Sequence, residues 1–149
     1  MDRAFEYVEK DPLMTEEEYP YTAHSSKYTK CKYVKSKGVG HVVGFEDVSE
    51  KNLDQMKAAL MKGPVSVAIE ADKSVFQSYR SGVITSRACG TKLDHGVLAV
   101  GYGGSAADAD GEYILVKNSW GPTWGVEGYV KIGANNICGI LEQGSYPEE

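Results

Sequence analysis

Lys117-Asn118-Ser119-Trp120-Gly121-Pro122-Thr123-Trp124-Gly125-Val126-Glu127-Gly128-Tyr129 sets an amide residue just after the apolar run Tyr113-Ile114-Leu115-Val116, then two tryptophans four apart among glycines. Upstream, Cys89-Gly90-Thr91-Lys92-Leu93-Asp94-His95-Gly96-Val97 places a histidine at the opening of the run Val97-Leu98-Ala99-Val100. With Tyr129-Val130-Lys131-Ile132, these are three short apolar runs separated by glycine-rich connections, the grammar of a sheet. A histidine at one strand end and an asparagine at the end of its neighbour can bring an amide oxygen onto an imidazole N–H. That bond fixes the ring's orientation and tautomer and leaves the other nitrogen for a nucleophile. A tryptophan two residues on can cover the pair and exclude water. Either residue alone reads as a core histidine or a turn asparagine. The pairing is what points to chemistry.

Working outward, Met1, Ala4, Phe5 and Val8 fall at helical spacing and predict a helix over Met1–Lys10, ending before Pro12. Thr15 to Tyr21 is acidic and turn-like, and Ala23 to Lys37 reads as a solvated loop with five lysines around Cys31. Val39 to Phe45 suggests a short strand. Ser49 offers an N-cap to a helix carrying Leu53, Met56 and Leu60 on one face, and Gly63-Pro64 stops it. Val65, Val67 and Ile69 alternate with Ser66, Ala68 and Glu70 as a half-buried strand, and Ser74 to Ser81 reads as a short turn of helix. The small, acidic stretch Gly103 to Gly111 reads as a hairpin tip. Asp108 and Asp110 suggest a calcium loop, but no closing glutamate follows, so a solvated loop is expected.

The whole chain has 149 residues, 42% hydrophobic and 25% charged, enough for one globular domain. Its 16 basic and 21 acidic residues give a net charge of −5, which argues against a nucleic-acid footprint. Apolar runs are too short to span a membrane, and the charged opening Asp2-Arg3-Ala4-Phe5-Glu6 carries no apolar leader. Cys31, Cys89 and Cys138 lack CxxC or Cys/His spacing, and His24, His41 and His95 are scattered, so neither a metal nor a cofactor is expected.

With these motifs in place, the chain resembles the papain-like, cathepsin L-like cysteine peptidases. Glu18-Tyr19-Pro20-Tyr21, Gly63-Pro64-Val65-Ser66-Val67, Leu93-Asp94-His95-Gly96-Val97, Asn118-Ser119-Trp120-Gly121 and Asn136-Ile137-Cys138-Gly139-Ile140 follow one another in that family's order. The resemblance implies an α+β papain-like fold: residues 1–44 as a remnant of the helical domain and 45–149 as an antiparallel β-barrel domain. It implies that His95 is the general base, that Asn118 orients it, and that Trp120 shields their bond on the leaving-group side. Trp124 is expected to pack the interior. The resemblance also implies a Cys89–Cys138 disulfide and leaves Cys31 as a free thiol. It lines a pocket for the side chain two residues before the cut with Ala68, Leu93, Gly96 and Gln143, walls that suit Leu, Val or Phe. The implied setting is a lysosome, a digestive vacuole or the cell exterior, and the implied partner is a protein or peptide substrate.

The departure from the family is equally plain. Its reactive cysteine lies in a Cys-Gly-Ser-Cys-Trp-like run at a helix N-terminus, where the dipole and an imidazolium hold it as thiolate. Histidine and asparagine follow that cysteine by roughly 130–150 residues. No such run occurs here, and at that spacing it would fall before Met1, with the oxyanion glutamine. These residues are therefore expected to be inactive alone and to expose a cleft face that invites self-association. The alternative is a non-catalytic binding or structural module derived from a peptidase. A Ser/His/Asp hydrolase using Asp94 is disfavoured, because adjacent strand residues face opposite sides.

Overall fold

The computed structural model describes residues 1–23 and 30–148; His24 lies outside the described residues. The chain forms two compact units, Met1–Glu46 with Pro147–Glu149, and Asp47–Tyr146.

In the first unit, helix α1 (Asp2–Val8) is shorter than its periodicity suggests. Of the expected stripe only Val8 is fully buried, while Phe5 stacks on Phe45 at 5.7 Å between ring centroids. The strand expected over Val39 to Phe45 does not form there. The N–H groups of Val39 and Gly40 both donate to Leu13 O, at 2.8 and 3.1 Å, which spends the donors a strand would need. Val39 and Val43 are left 68% and 74% exposed, and strand β1 runs over Gly44–Val48 instead. Cys31 is a free, exposed thiol whose Sγ lies 3.8 Å from Tyr19 Oη.

In the second unit, helix α2 (Leu53–Lys62) is capped by Asn52, not Ser49. Asn52 Oδ1 accepts from Gln55 N–H at 3.0 Å, three residues on, whereas Ser49 lies too early and uses its own N–H on Gln55 Oε1. Strand β2 (Val65–Ile69) alternates as its sequence suggests, with Val65, Val67 and Ile69 fully buried. The alternation ends one residue early: Glu70, on the polar phase, is buried. Helix α3 is a single turn, Ser74–Gln77, around the buried Phe76.

The remaining strands are β3 (Val83–Ile84), β4 (His95–Gly103), β5 (Tyr113–Lys117), β6 (Tyr129–Gly133) and β7 (Gly144–Glu148). The seven strands order as β1-β7-β2-β4-β5-β6-β3. β2, β4, β5 and β6 pair antiparallel with their neighbours, and β3 pairs parallel to β6. The sheet is thus mixed and open, not the closed antiparallel barrel expected. At one end of the strand order, β3 contributes two residues, and the chain then enters the 3₁₀ turn Arg87–Cys89. Ile114, Val116, Val130 and Ile132 line one face with β2, and each fully buried aliphatic side chain contributes about 1.5–3 kcal/mol. Among the described residues no helix is long and apolar enough to cross a membrane.

Cys89 and Cys138 are joined by a disulfide that closes 49 residues of chain, from the turn after β3 to the turn before β7. In the chain-entropy model such a closure stabilises by about 4 kcal/mol. Urea unfolding with and without a reductant is expected to show a drop of that order; an unchanged midpoint means the link contributes nothing.

Candidate active site

The β4–β5 pairing sets Leu98 opposite Lys117, so the residue after β5 emerges beside the start of β4. That residue is Asn118, and the start of β4 is His95. Asn118 N–H donates to Gly128 O at 3.0 Å, which holds its backbone against the end of the tryptophan-glycine loop. His95 is fixed from the other side, opposite Ile69 of β2. Its predecessor Asp94 donates N–H to Ile69 O at 3.0 Å, and the Asp94 carboxylate accepts from Ala71 N–H at 2.8 Å. Asp94 is therefore occupied by β2 rather than by the imidazole.

His95 Nε2 stands 2.8 Å from Asn118 Oδ1, and Ser119 N–H donates to the same oxygen at 2.7 Å. A backbone N–H can only donate, so the amide atom between them is the oxygen and Nε2 carries the hydrogen. Nδ1 is then the ring nitrogen left for chemistry. Asn118 is 7% exposed, and its Nδ2 has no hydrogen-bond partner among the described residues.

Trp120 lies against this pair, its ring centroid 5.2 Å from that of His95 at an interplanar angle of 30°. An indole face at that range keeps water from one side of the imidazole. Trp120 is itself held in an aromatic cluster: Phe76 meets it edge-on at 5.4 Å and Trp124 at 5.4 Å, while Trp124 also contacts Phe76 at 5.0 Å and Tyr79 at 5.8 Å. Trp124 Nε1–H donates to Gln77 O at 3.0 Å. The glycines serve the same packing. Gly125 is left-handed (φ 59°), and a Cβ there would meet Tyr129 O at 2.6 Å and the Tyr79 ring at 3.2 Å. Phe76 and Tyr79 escaped the sequence reading, although two aromatics three apart within the helical turn read over Ser74 to Ser81 were a signal for them; α3 itself ends at Gln77, before Tyr79.

The remaining candidates lie close by in the same unit. Ala68 is opposite Gly96 across the β2–β4 ladder, and its N–H donates to Gln143 O at 3.1 Å, so three of the four pocket residues come together through backbone bonds. Gln143 is exposed. Leu93 packs over Gly139, where a Cβ would fall 2.7 Å from Leu93 Cδ2. Asp108, in the hairpin tip, uses its carboxylate to accept from Ser105 N–H at 2.7 Å.

An imidazole with one nitrogen tied to an amide oxygen, beneath an indole, is held in one orientation with its second nitrogen left to exchange a proton. A model of the papain family cysteine proteases matches residues 1–148, and the chain belongs to that family. It is 48% identical to human Cathepsin L2 over 153 residues, covering 99% of this chain and 45% of the relative. It is 47% identical to Cysteine protease 1 of Oryza sativa subsp. japonica, covering 30% of that protein. Digestive procathepsin L 3 of Tenebrio molitor larval midgut superposes with a TM-score of 0.88 at 35% identity, over 100% of this chain and 48% of the other. The bromelain protease from Ananas comosus, solved with the E64 inhibitor, gives 0.82 at 35% identity, over 99% and 68%. The chain thus spans less than half the length of the curated relatives it matches.

Removing the Asn118 oxygen is expected to release the ring. In N118A the preference for the Nε2–H tautomer falls roughly fivefold, the worth of about 1 kcal/mol of hydrogen bond. Ring ¹⁵N shifts measure it, and an unchanged tautomer ratio means that Asn118 does not hold His95.

Proposed function

We propose that these 149 residues are the C-terminal, proton-handling part of a papain-like cysteine endopeptidase that hydrolyses peptide bonds once a nucleophile-bearing segment completes it. The observation that carries this reading is the 2.8 Å contact between His95 Nε2 and Asn118 Oδ1 against Trp120. His95 Nδ1 takes the proton of a cysteine thiol, Asn118 holds the ring in register, and Trp120 keeps water from their bond. The thiolate adds to the peptide carbonyl carbon, and the imidazolium then protonates the leaving amine as the C–N bond breaks. Water, deprotonated by His95, cleaves the thioester and restores both groups.

Ala68, Leu93, Gly96 and Gln143 are read as the pocket for the side chain two residues before the cut. Small and apolar walls favour Leu, Val or Phe there, and Gln143 adds a neutral polar group without demanding a cation. Residues 1–44 are read as the remnant of the helical domain and 45–149 as the sheet domain that carries the catalytic pair. A lysosome, a digestive vacuole or the cell exterior suits the family, and the Cys89–Cys138 link fits an oxidising compartment. No cofactor enters this chemistry.

The chain contains no Cys-Gly-Ser-Cys-Trp-like run, and Cys31 is exposed and grouped with Tyr19. Alone, it is therefore expected to cleave nothing. The same observation favours the second reading, a non-catalytic binding or structural module, and one experiment separates the two. Co-refolding with the cysteine-bearing segment of a close relative is expected to give hydrolysis of a fluorogenic Phe-Arg or Leu-Arg peptide, with H95A lowering the rate by roughly 10²–10⁴. No hydrolysis from a correctly assembled pair favours the module.

Each unit also leaves large apolar side chains in water, among them Tyr21, Val39 and Val43 in the first and Met61, Trp120 and Val126 in the second. Uncovered apolar surface of this kind drives association. Sedimentation of the isolated chain is expected to show species heavier than a monomer, growing with concentration; a lone monomer with a sharp unfolding transition contradicts this.

A further inference from the structure

Just beyond the end of β2, Glu70 is 3% exposed and takes no part in the His95–Asn118 contact. Burying a carboxylate is costly unless its oxygens are partnered, and both are. Oε2 accepts from Lys92 N–H at 2.5 Å, and Oε1 lies 2.9 Å from Lys73 Nζ. Lys73 also reaches Asp72 at 3.0 Å. Glu70 first and Asp72 second hold that ammonium above its ordinary range, and Lys73 holds Asp72 below its own.

The backbone of Glu70 is just as engaged. Its N–H donates to Cys138 O at 2.8 Å, and its carbonyl oxygen lies 3.6 Å from Cys89 Sγ. Gly90 is left-handed (φ 75°), and a Cβ there would stand 2.1 Å from Glu70 Oε2, so the loop leaving the disulfide rests directly on the carboxylate. That loop, Gly90 to Asp94, contains Leu93 and runs straight into His95. Its far end is tied to β2 by Asp94, through Ile69 O and Ala71 N–H. Its middle is tied at Lys92, to Glu70.

We propose that Glu70 is a positioning residue for His95 and Leu93, resting on the roles given to them above: its buried carboxylate clamps the Gly90–Asp94 loop through the Lys92 N–H. Glutamine at this place keeps a neutral acceptor and loses the ammonium pair. Alanine removes the acceptor and leaves the Lys92 N–H without it.

The test uses the 149-residue chain with E70A and E70Q. Amide exchange is read at Lys92, Leu93 and His95, with Val116 and Val130 as a control on the sheet, and the His95 ring is titrated by NMR. In E70A the loop amides are expected to exchange tenfold faster or more, with Val116 and Val130 unchanged and the His95 midpoint displaced. E70Q is expected to give a rise of roughly fivefold and a smaller displacement, since a charged acceptor is about twice as strong as a neutral one. Unchanged loop exchange overturns the proposal. So does equal acceleration at Val116 and Val130, which is mere loss of stability, or a loosened loop with an undisturbed His95 midpoint. If E70A does not fold, E70Q decides on the same criteria. None of these readouts is hydrolysis, so the catalytic reading can fail in its own assay while this result stands.

Discussion

One oxygen atom organises the site. Asn118 Oδ1 accepts from the His95 ring and from Ser119 N–H, at 2.8 and 2.7 Å, and both donors must be delivered to it by backbone that is fixed beforehand. The β4–β5 register delivers the ring and the asparagine to the same end of the sheet, and the Gly128 carbonyl pins the asparagine from the β6 side. A slip of one residue in either ladder would send one of the two side chains to the opposite face. The His95–Asn118 contact therefore depends on sheet register.

Packing protects that register. Phe76, Tyr79, Trp120 and Trp124 form a continuous aromatic cluster, each pair held beyond simple area burial by about 0.5–1.5 kcal/mol. Trp124 is anchored at its polar end on Gln77 O and at its face on Phe76 and Tyr79, which leaves Trp120 as the half-exposed member that meets the imidazole. The glycines between the tryptophans let a tight loop bring both indoles to one place. The disulfide closes the other flank, where the chain passes from Cys89 through Glu70's reach to His95.

Much of this was legible because it is local. His95 and Asn118 each border an apolar run, and strand ends can be read from glycine and alternation. What escaped was decided at a distance. β7 is Gly-Ser-Tyr-Pro-Glu, with no alternation to read, and it is a strand because Ser145 and Gly144 pair with Ser66 and Val67 of β2. Ser49 has the chemistry of a cap but sits too early, and Asn52 takes the position because α2 begins at Leu53. Glu70 followed the polar phase of β2 on paper. The strand ends at Ile69, so the phase no longer applies, and the carboxylate turns in towards Lys73 and the Lys92 amide. Nor does anything in Val83-Ile84 announce that β3 ends after two residues.

That brevity has a further effect. An outermost strand ordinarily displays a row of unsatisfied amides that can recruit a foreign chain into a growing ribbon. Here one rim offers only Val83 and Ile84, too few to template anything, and the other rim, β1, carries the exposed acidic residues Glu46 and Asp47. Among the described residues, neither rim of the sheet therefore offers a long flat template for fibril-like stacking of further copies.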